Sequence, residues 1–465
     1  MDQSFLREII KDPDNDDPRL IYADYLEETG DPLGELIRIQ CDLAKMTGDD
    51  RNYAVLEKRQ FALLKKHKSR WLGAIAEMTR IAKIYRGFVR DIVLGARQFI
   101  AHHRTLFQLA PIRNATVVKV SSKSFKEFAE CESLARLDSL KLSDVPLETA
   151  EFRKLFESPY LTRLKRFSVG VYGTNVGIYH VIGKSRLAEE VCELELSGNA
   201  MQSEGMVALL QESRFRQLET LSCDRNGIDN VGMVAIANTR CLTTLRTLHI
   251  GRSLIGPDGM AALANSANVT GLRTLTLNEN YIQDSGLVDL FSSRNFGHLS
   301  SLGVARNHLT DDGFTKVATS NFGGRLRSLD AGHNQLGSDS LAAIVGSSLR
   351  GLERLVWDGN RVTDVGTLAD LATDRPLKHL SLAECQLRNN AVAVLADAAG
   401  SRNLRTLILT DNRCNDAAGQ AILESENLHG LMCLMLDKNN ISRDMQSKLR
   451  KKYGAGVCVF SRATH

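Results

Sequence analysis

Leu272-Arg-Thr-Leu275-Thr-Leu277-Asn-Glu-Asn280 decides how this chain folds. It sets leucines in the frame LxxLxL and an asparagine three residues after the last leucine. The frame recurs at Leu404-Arg-Thr-Leu407-Ile-Leu409-Thr-Asp-Asn412 and at Leu431-Met-Cys-Leu434-Met-Leu436-Asp-Lys-Asn439. Its last position falls at Asn199, Asn226, Ser253, Asn280, Asn307, Asn334, Asn360, Cys385, Asn412 and Asn439, in steps of 25 to 27 residues. Two degenerate copies precede these. One is Leu137-Asp-Ser-Leu140-Lys-Leu142, ending at Val145, and the other is Leu164-Lys-Arg-Phe167-Ser-Val169, ending at Tyr172, which makes twelve units. A short period repeated this often specifies a solenoid, in which each unit buries its apolar face against its neighbours.

Leu-x-Leu alternation places two leucines on one face of a half-buried strand. The asparagine ends the strand, and its amide can bond backbone groups of the turn and of the adjoining unit. Ser253 and Cys385 are small enough to keep part of that arrangement. Val145 and Tyr172 are not, so the first two units should be less regular. A helix-start signal follows each turn, as in Asp284-Ser-Gly286-Leu287, Asp311-Asp-Gly313-Phe314 and Asp364-Val-Gly366, with the aspartate expected at the N-cap. Each unit is therefore strand, turn and helix. Broad helices outside and narrow strands inside predict an α/β horseshoe with a parallel sheet on its concave face.

The pattern resembles a leucine-rich-repeat array over residues 137–465, and its 27-residue period with a helical second half resembles the ribonuclease-inhibitor-like subclass. The resemblance implies a scaffold that binds a protein partner. Farther upstream, Asp12-Pro13, Pro18-Arg-Leu-Ile-Tyr-Ala-Asp-Tyr-Leu-Glu-Glu-Thr-Gly-Asp-Pro32 and Gly34-Glu-Leu-Ile-Arg-Ile-Gln40 resemble the bacterial repeat-companion domain across about residues 3–46. Tyr25 departs from the tryptophan expected there. That resemblance implies association with repeat proteins and no reaction.

The expected organisation is a helical module at 1–50, a basic helical segment with an α/β cap at 51–136, the repeats at 137–442 and a closing cap at 443–465. Helices are expected at 2–10, 18–46 with a break at Gly30-Asp-Pro-Leu-Gly34, and 52–78. A strand at Arg86–Leu94, a helix at Ala96–Leu109 and a strand at Thr116–Val120 would cover the open first end of the array. A helix at Arg443–Tyr453 and a strand at Val457–Phe460 would cover the other.

Hydrophobic residues make up 43% of the 465 and charged residues 25%, the balance of an ordinary soluble protein, which excludes a disordered or fibrous chain. No apolar run approaches the ~18 residues that span a bilayer. The opening residues lack the basic and apolar regions of a signal peptide. Nine cysteines, an odd number with no CxxC pair, fit a reduced compartment, so a cytoplasmic location is expected. The net charge of +4 hides a segregation: residues 1–50 carry −9 and residues 51–119 carry +12.

Catalytic signatures are missing: the sequence has no HExxH, GxSxG or GxGxxG. Gly183-Lys-Ser185 resembles the end of a phosphate loop, but the required earlier glycine is Ile178, and the segment lies where a repeat helix belongs. His102-His103 sit side by side on a helix, facing different ways. Cys223 and Cys385 occupy frame positions suited to packing. The expectation is a non-enzyme with no cofactor, no metal, no small-molecule substrate and no membrane span.

The candidate surface is the concave strand face, at six, four and two residues before each frame position. There His249, Asp330, Val356, Asp358, Ile408, Met435 and Asp437 are the candidate partner contacts, and Asn199, Asn226, Asn280, Asn307, Asn334, Asn360, Asn412 and Asn439 the structural ladder. Val356, Ile408 and Met435, with Cys433, form an apolar group near the end of the array. It marks a contact, or it reflects the preference of such residues for strands. Twelve strands at ~4.8 Å span roughly 50–60 Å, enough for an interface of ~1,600 Å². Aromatic anchors are nearly absent from this face, which points away from very tight binding. The competing surface is Lys65, Lys66, Lys68 and Arg70, where cations can meet the phosphates of nucleic acid or another anionic surface, or pair with the acidic residues just upstream. The sequence thus supports a protein-binding scaffold first, nucleic-acid or anionic-surface binding through 51–119 second, and an enzyme regulator third.

Overall fold

The computed structural model of the chain describes residues 3–47, 50, 52–145, 148–171, 175–318 and 324–460. It contains two compact units. The first holds residues up to Asn199 together with 212–218, and the second holds 200–211 and everything from Glu219 onward.

The first unit begins with helices α1 (Gln3–Lys11), α2 (Asp17–Glu28), α3 (Leu33–Leu43) and α4 (Tyr53–Leu72). Ile9, Tyr22, Leu36 and Ile37 form their common core, which also takes in Leu63 of α4 and Phe88. The helix expected over 52–78 is broken: α4 stops at Gly73, whose φ of 48° is left-handed, and a short α5 (Ile75–Met78) follows. The strand expected from Arg86 starts later. Arg86 and Gly87, at φ 49° and 83°, are the turn of an antiparallel hairpin between β1 (Ile81–Tyr85) and β2 (Phe88–Gly95). Gly87 is required twice over. A Cβ there would collide with Ile37, and its N–H donates to Gln40 Oε1 at 2.8 Å. Strand β1 is an element the sequence reading passed over.

From β2 onward the strands run parallel and in chain order: β3 (Asn114–Val118), β4 (Ser139–Val145), β5 (Arg166–Val171) and β6 (Glu193–Glu195). Helices lie between consecutive strands, beginning with α6 (Ala96–Leu109) after β2 and α7 (Ser122–Ala129) after β3. Ala115, Leu140, Phe167 and Leu194 sit opposite one another and are buried. Repeat geometry therefore starts two strand–helix units before Leu137, in sequence that lacks the leucine frame. The register between β4 and β5 shifts after Leu142, within the two degenerate copies. Tyr172, assigned to the asparagine position of the second copy, lies outside the described residues.

In the second unit the strands are β7 (Thr220–Ser222), β8 (Thr247–His249), β9 (Thr274–Thr276), β10 (Ser301–Gly303), β11 (Ser328–Asp330), β12 (Arg354–Val356), β13 (His379–Ser381), β14 (Thr406–Ile408), β15 (Cys433–Met435) and β16 (Cys458–Val459). From β7 to β15 the central leucine of each strand faces that of the next, and every one is buried. Each contributes about 1.5–3 kcal/mol by leaving water.

The asparagines hold the turns. Asn360 donates Nδ2 to Trp357 O in its own unit and to Ala331 O in the previous one, at 3.1 and 2.9 Å. Its Oδ1 accepts from the N–H groups of Asn334 and Leu336. Asn280, Asn334, Asn412 and Asn439 likewise donate to at least one carbonyl of their own turn and one of the preceding unit. Asn307 and Asn199 do the same, while Asn226 donates to Cys223 O and accepts from Met201 N–H. Cys385 substitutes its thiol, with Sγ 3.4 Å from Trp357 O and 3.3 Å from Ala383 O.

The residue before each of these positions is left-handed. Arg225, Arg252, Glu279, Arg306, His333, Glu384, Asp411 and Lys438 have φ between 52° and 60°, and Gly198 and Gly359 complete the row. For a non-glycine this costs about 1–2 kcal/mol. The amide's bonds to otherwise orphaned backbone groups offset it.

Helix starts are tied together differently from the expectation. Asp364 is an N-cap, accepting from Gly366 N–H. Asp284 and Asp311 instead lie inside the first turn and reach the next unit: Asp284 accepts from Thr310 N–H and Oγ1, and Asp311 from Gly337 N–H. Helix ends are joined by serines such as Ser266 and Ser425, which donate to the carbonyls of Ala237 and Ala396 in the unit before.

Asn360→Ala should therefore lower unfolding stability by about 2–4 kcal/mol, since it strips partners from several buried backbone groups at once. Urea denaturation followed by circular dichroism checks this. A loss below about 0.5 kcal/mol would show that the turn holds without the amide.

Candidate functional site

The open face of the second unit is built from residues that alternate with the buried leucines. Register alone aligns them: Asp330, Val356, Ser381, Ile408 and Met435 are consecutive neighbours across β11 to β15, and Val459 of β16 continues the row beside Met435. Ile408, Met435 and Val356 are half-buried and Val459 is 40% exposed, so the C-terminal part of the face is an apolar strip. Cys433, half-buried, faces Thr406 beside it.

The polar part is more constrained than the sequence suggested. Asp358 Oδ1 accepts from Ser381 Oγ at 2.5 Å and from Ala383 N–H at 2.8 Å. Asp224 and Asn278 accept in the same way from Gly251 and Ala305 N–H, at 2.5 and 2.9 Å. Asn278 also donates to Asp330 Oδ2 at 3.0 Å, two strands away. Gly303 lies between them, and a Cβ there would come within 2.8 Å of the Asn278 side chain. Asp330 and Asp358 thus spend part of their hydrogen-bonding capacity inside the sheet. A sequence signal for this exists: the residue two before the frame position is Asp or Asn in one unit and Gly or Ala in the next, at Asp224/Gly251, Asn278/Ala305 and Asp358/Ala383. His249 contacts Thr276 Oγ1 through Nδ1 at 3.0 Å. Asp437 is half-buried, and its backbone carbonyl accepts from Asp411 N–H.

The basic candidates separate. Arg70 pairs with Asp31 at 2.6 Å, and Arg59 and Arg86 pair with Glu35 and Asp16 at 2.5 and 3.2 Å, so the positive segment partly neutralises the negative module before it. Lys65, Lys66 and Lys68 stay exposed. Lys65 and Lys68 border a shallow depression of about 440 Å³ floored by Leu64 and Ile84.

The remaining chemistry-bearing residues do not assemble. Gly183-Lys184-Ser185 lies at the carboxyl end of a helix (Val176–Lys184), whereas phosphates are held at amino ends. Lys184 is paired with Glu212. His103 is stacked on Phe99 and contacts Ser133 Oγ through Nδ1. Burial pushes the Cys385 thiol up to about 12 and the Cys41, Cys131 and Cys414 thiols to about 11, which keeps them protonated at neutral pH. Among the described residues no group of three or more metal-ligating side chains is placed to hold an ion, and no helix is long and apolar enough to cross a membrane.

The leucine-framed strand–turn–helix units have the form seen in leucine-rich-repeat proteins, and the family model described as Leucine Rich repeat matches residues 193–210 and 241–264. Such proteins are generally non-enzymatic binding scaffolds. No curated protein matches the sequence. Solved structures similar to it include an internalin from Listeria monocytogenes, 18% identical over 81% of this chain and 87% of that one, with a TM-score of 0.39. A leucine-rich-repeat protein of Leptospira interrogans is 17% identical over 76% and 91%, with a TM-score of 0.41. The Arabidopsis receptor kinase HAESA, solved in complex with a peptide hormone and a co-receptor, is 17% identical over 76% of this chain and 53% of its own, with a TM-score of 0.40.

His379, in the row facing Arg354 and Thr406, carries a pH signature. Burial, reinforced by Arg354 and opposed by Asp358, pushes its pKa down to about 4, and its Nε2 is buried without a partner. Unfolded, it protonates near 6.5. Between those values the unfolded chain binds the extra proton, so stability should fall as pH drops from about 6.5 to 4. His379→Gln should flatten that part of the profile in urea titrations across this range. An unchanged slope would place the proton uptake elsewhere.

Proposed function

We propose that the chain is a non-enzymatic scaffold that recognises a protein partner on the concave strand face of its repeats. In this reading the chain is organised as a module at 1–50, a cap at 51–136, repeats at 137–442 and a cap at 443–465, in a cytoplasm of the kind its unpaired cysteines suit. Its repeats are of the ribonuclease-inhibitor-like type and its first module is of the bacterial repeat-companion kind.

The observation that carries the reading is the apolar row Ile408–Met435–Val459 on a sheet face lined elsewhere by hydroxyls, small residues and bonded carboxylates. Strand preference accounts for one such residue well. It accounts poorly for three neighbours in register on the solvent side, where apolar surface gains nothing until it is covered. Asp358 and Asp437 flank the strip with negative charge, and Asp330 and His249 extend the face toward β8. The partner is thus expected to present an apolar protrusion with basic groups beside it. Asp358, fixed by Ser381 and Ala383, meets such a group without losing conformational freedom, which favours specificity.

Lys65, Lys66 and Lys68 support a weaker reading, contact with an anionic surface, since among the described residues these three lack the carboxylate partners that Arg59 and Arg70 have. The enzyme-regulator reading is a special case of the first, with an enzyme as the partner.

The deciding experiment is a pull-down from nuclease-treated lysate comparing the wild type with an Ile408→Asp, Met435→Asp double variant of unchanged circular dichroism. A protein retained at least tenfold better by the wild type, with retention nearly insensitive to salt, is the expected outcome. Equal recovery removes the strip as the site. Retention that collapses between 50 and 200 mM salt, as binding does when it depends on releasing the counterions of phosphates, transfers the function to the lysines.

A further inference from the structure

The first unit holds a second cavity, apart from the depression beside Lys65 and Lys68. About 990 Å³ in volume, it is lined by one side of α1, the turn between α4 and α5, the last turn of α6 and Arg136. Its floor is apolar and recessed: Ile75 and Phe107 are buried, and Ile10 and Trp71 are half-buried. Its charged lining is of one sign. Arg7, Lys11 and Arg136 border it, and among the described residues no carboxylate does.

None of these cations has an ion pair among the described residues, although the first fifty residues of the chain carry a charge of −9. Arg136 is fixed in place, donating Nη1 to Phe107 O at 2.8 Å with its guanidinium 5.3 Å from the Phe107 ring centre. Arg113 and Arg163 repel it, and Asp138 is already engaged by both of those arginines. The carboxyl ends of α1, α4 and α6 reach the same cleft, and about half a negative charge at each offsets part of the positive charge. Three whole cations against three screened half charges leave the cleft positive.

We propose that this cleft binds a carboxylate-bearing amphiphile, with its apolar chain along Ile10, Trp71, Ile75 and Phe107 and its carboxylate held by Arg136 with Arg7 and Lys11. The volume lies within the range of small-ligand sites, which pair apolar walls with a few convergent polar groups. The occupant is a slender chain and not a partner helix, because the apolar floor is sunk below a polar rim. A protein face docks on side chains that protrude, and Leu109, 37% exposed, is the one well-exposed large apolar side chain of the lining. Guanidinium and ammonium groups select an anionic head over a neutral or cationic one.

Trp71 makes the site observable, because the only other tryptophan, Trp357, is fully buried in the second unit. The full chain is titrated with decanoate and decyltrimethylammonium below their micellar concentrations, and with decanol below its solubility limit, while tryptophan emission is followed. Decanoate should give a saturable shift, with decanol and the ammonium compound at least tenfold weaker. Arg136→Gln, and separately Arg7→Gln with Lys11→Gln, should each weaken decanoate at least fivefold with unchanged circular dichroism. Lys65→Gln with Lys68→Gln should leave it unaltered, and Trp71→Phe should abolish the signal. Equal affinity for the three head groups overturns the proposal, as does indifference to both sets of cation variants or a signal that survives in Trp71→Phe. A Glu/Leu amphipathic peptide that displaces decanoate and binds more tightly overturns it in favour of a docked protein segment.

Discussion

The amide of the frame asparagine is the interaction on which the repeats rest. A strand of three residues cannot hold its own ends, and a turn that must reverse direction every 25 to 27 residues leaves carbonyls and N–H groups without partners. In units such as those of Asn334, Asn360 and Asn412, one side chain answers at least four of these groups, two or three as donor and two as acceptor, and it joins adjoining units in doing so. Each bond contributes only about 0.5–1.5 kcal/mol net, but losing the amide exposes every partner's desolvation cost. The left-handed residue before each asparagine is tolerated on the same account. Arg306 and Glu384 hold a conformation that glycine occupies freely because the next side chain fixes the turn around them.

With the turns fixed, the rest is addition. Leucine rows provide the apolar energy, serine and aspartate bonds between helix ends satisfy the groups that a helix cannot satisfy itself, and the strand face opposite the helices is left free to vary. That freedom is not complete. Asp224, Asn278 and Asp358 each brace the backbone of the next strand, so a carboxylate on this surface can be structural and accessible at once. A substitution there changes binding and turn geometry together, while the apolar strip formed by Ile408, Met435 and Val459 can be altered with less consequence for the sheet.

The first unit works by different means. Its helices share a core with Phe88 of the hairpin, so the acidic segment and the basic segment fold against each other, and their opposite charges meet in pairs such as Arg59–Glu35 and Arg70–Asp31. Such exposed pairs are worth little individually. Their consequence is to cancel part of the charge that would otherwise draw polyanions to α4, with Lys65, Lys66 and Lys68 left exposed. The cations beside Phe107 and Trp71 are outside this cancellation.

By itself the sequence determined the period, the strand and helix of each unit, the buried leucine rows and the side-chain type at every turn, because these follow from spacings of two and 3.6 residues within a window of about 27. It placed Ala96–Leu109 and Arg443–Tyr453 as helices to the residue. Interactions between residues far apart in the chain were beyond it. Strand β1 went unread, and β2 and β3, legible as strands of a cap, lack leucine frames, so that register with their neighbours alone marks them as repeat-like. Asp284 and Asp311 look like helix caps locally, yet they bond the following unit because tertiary stacking brings those N–H groups closer. The bridge from Asn278 to Asp330 and the cleft between α1 and α6 join residues roughly 50 and 100 positions apart. Only the folded chain sets such distances, since no local pattern encodes which side chains packing will bring together.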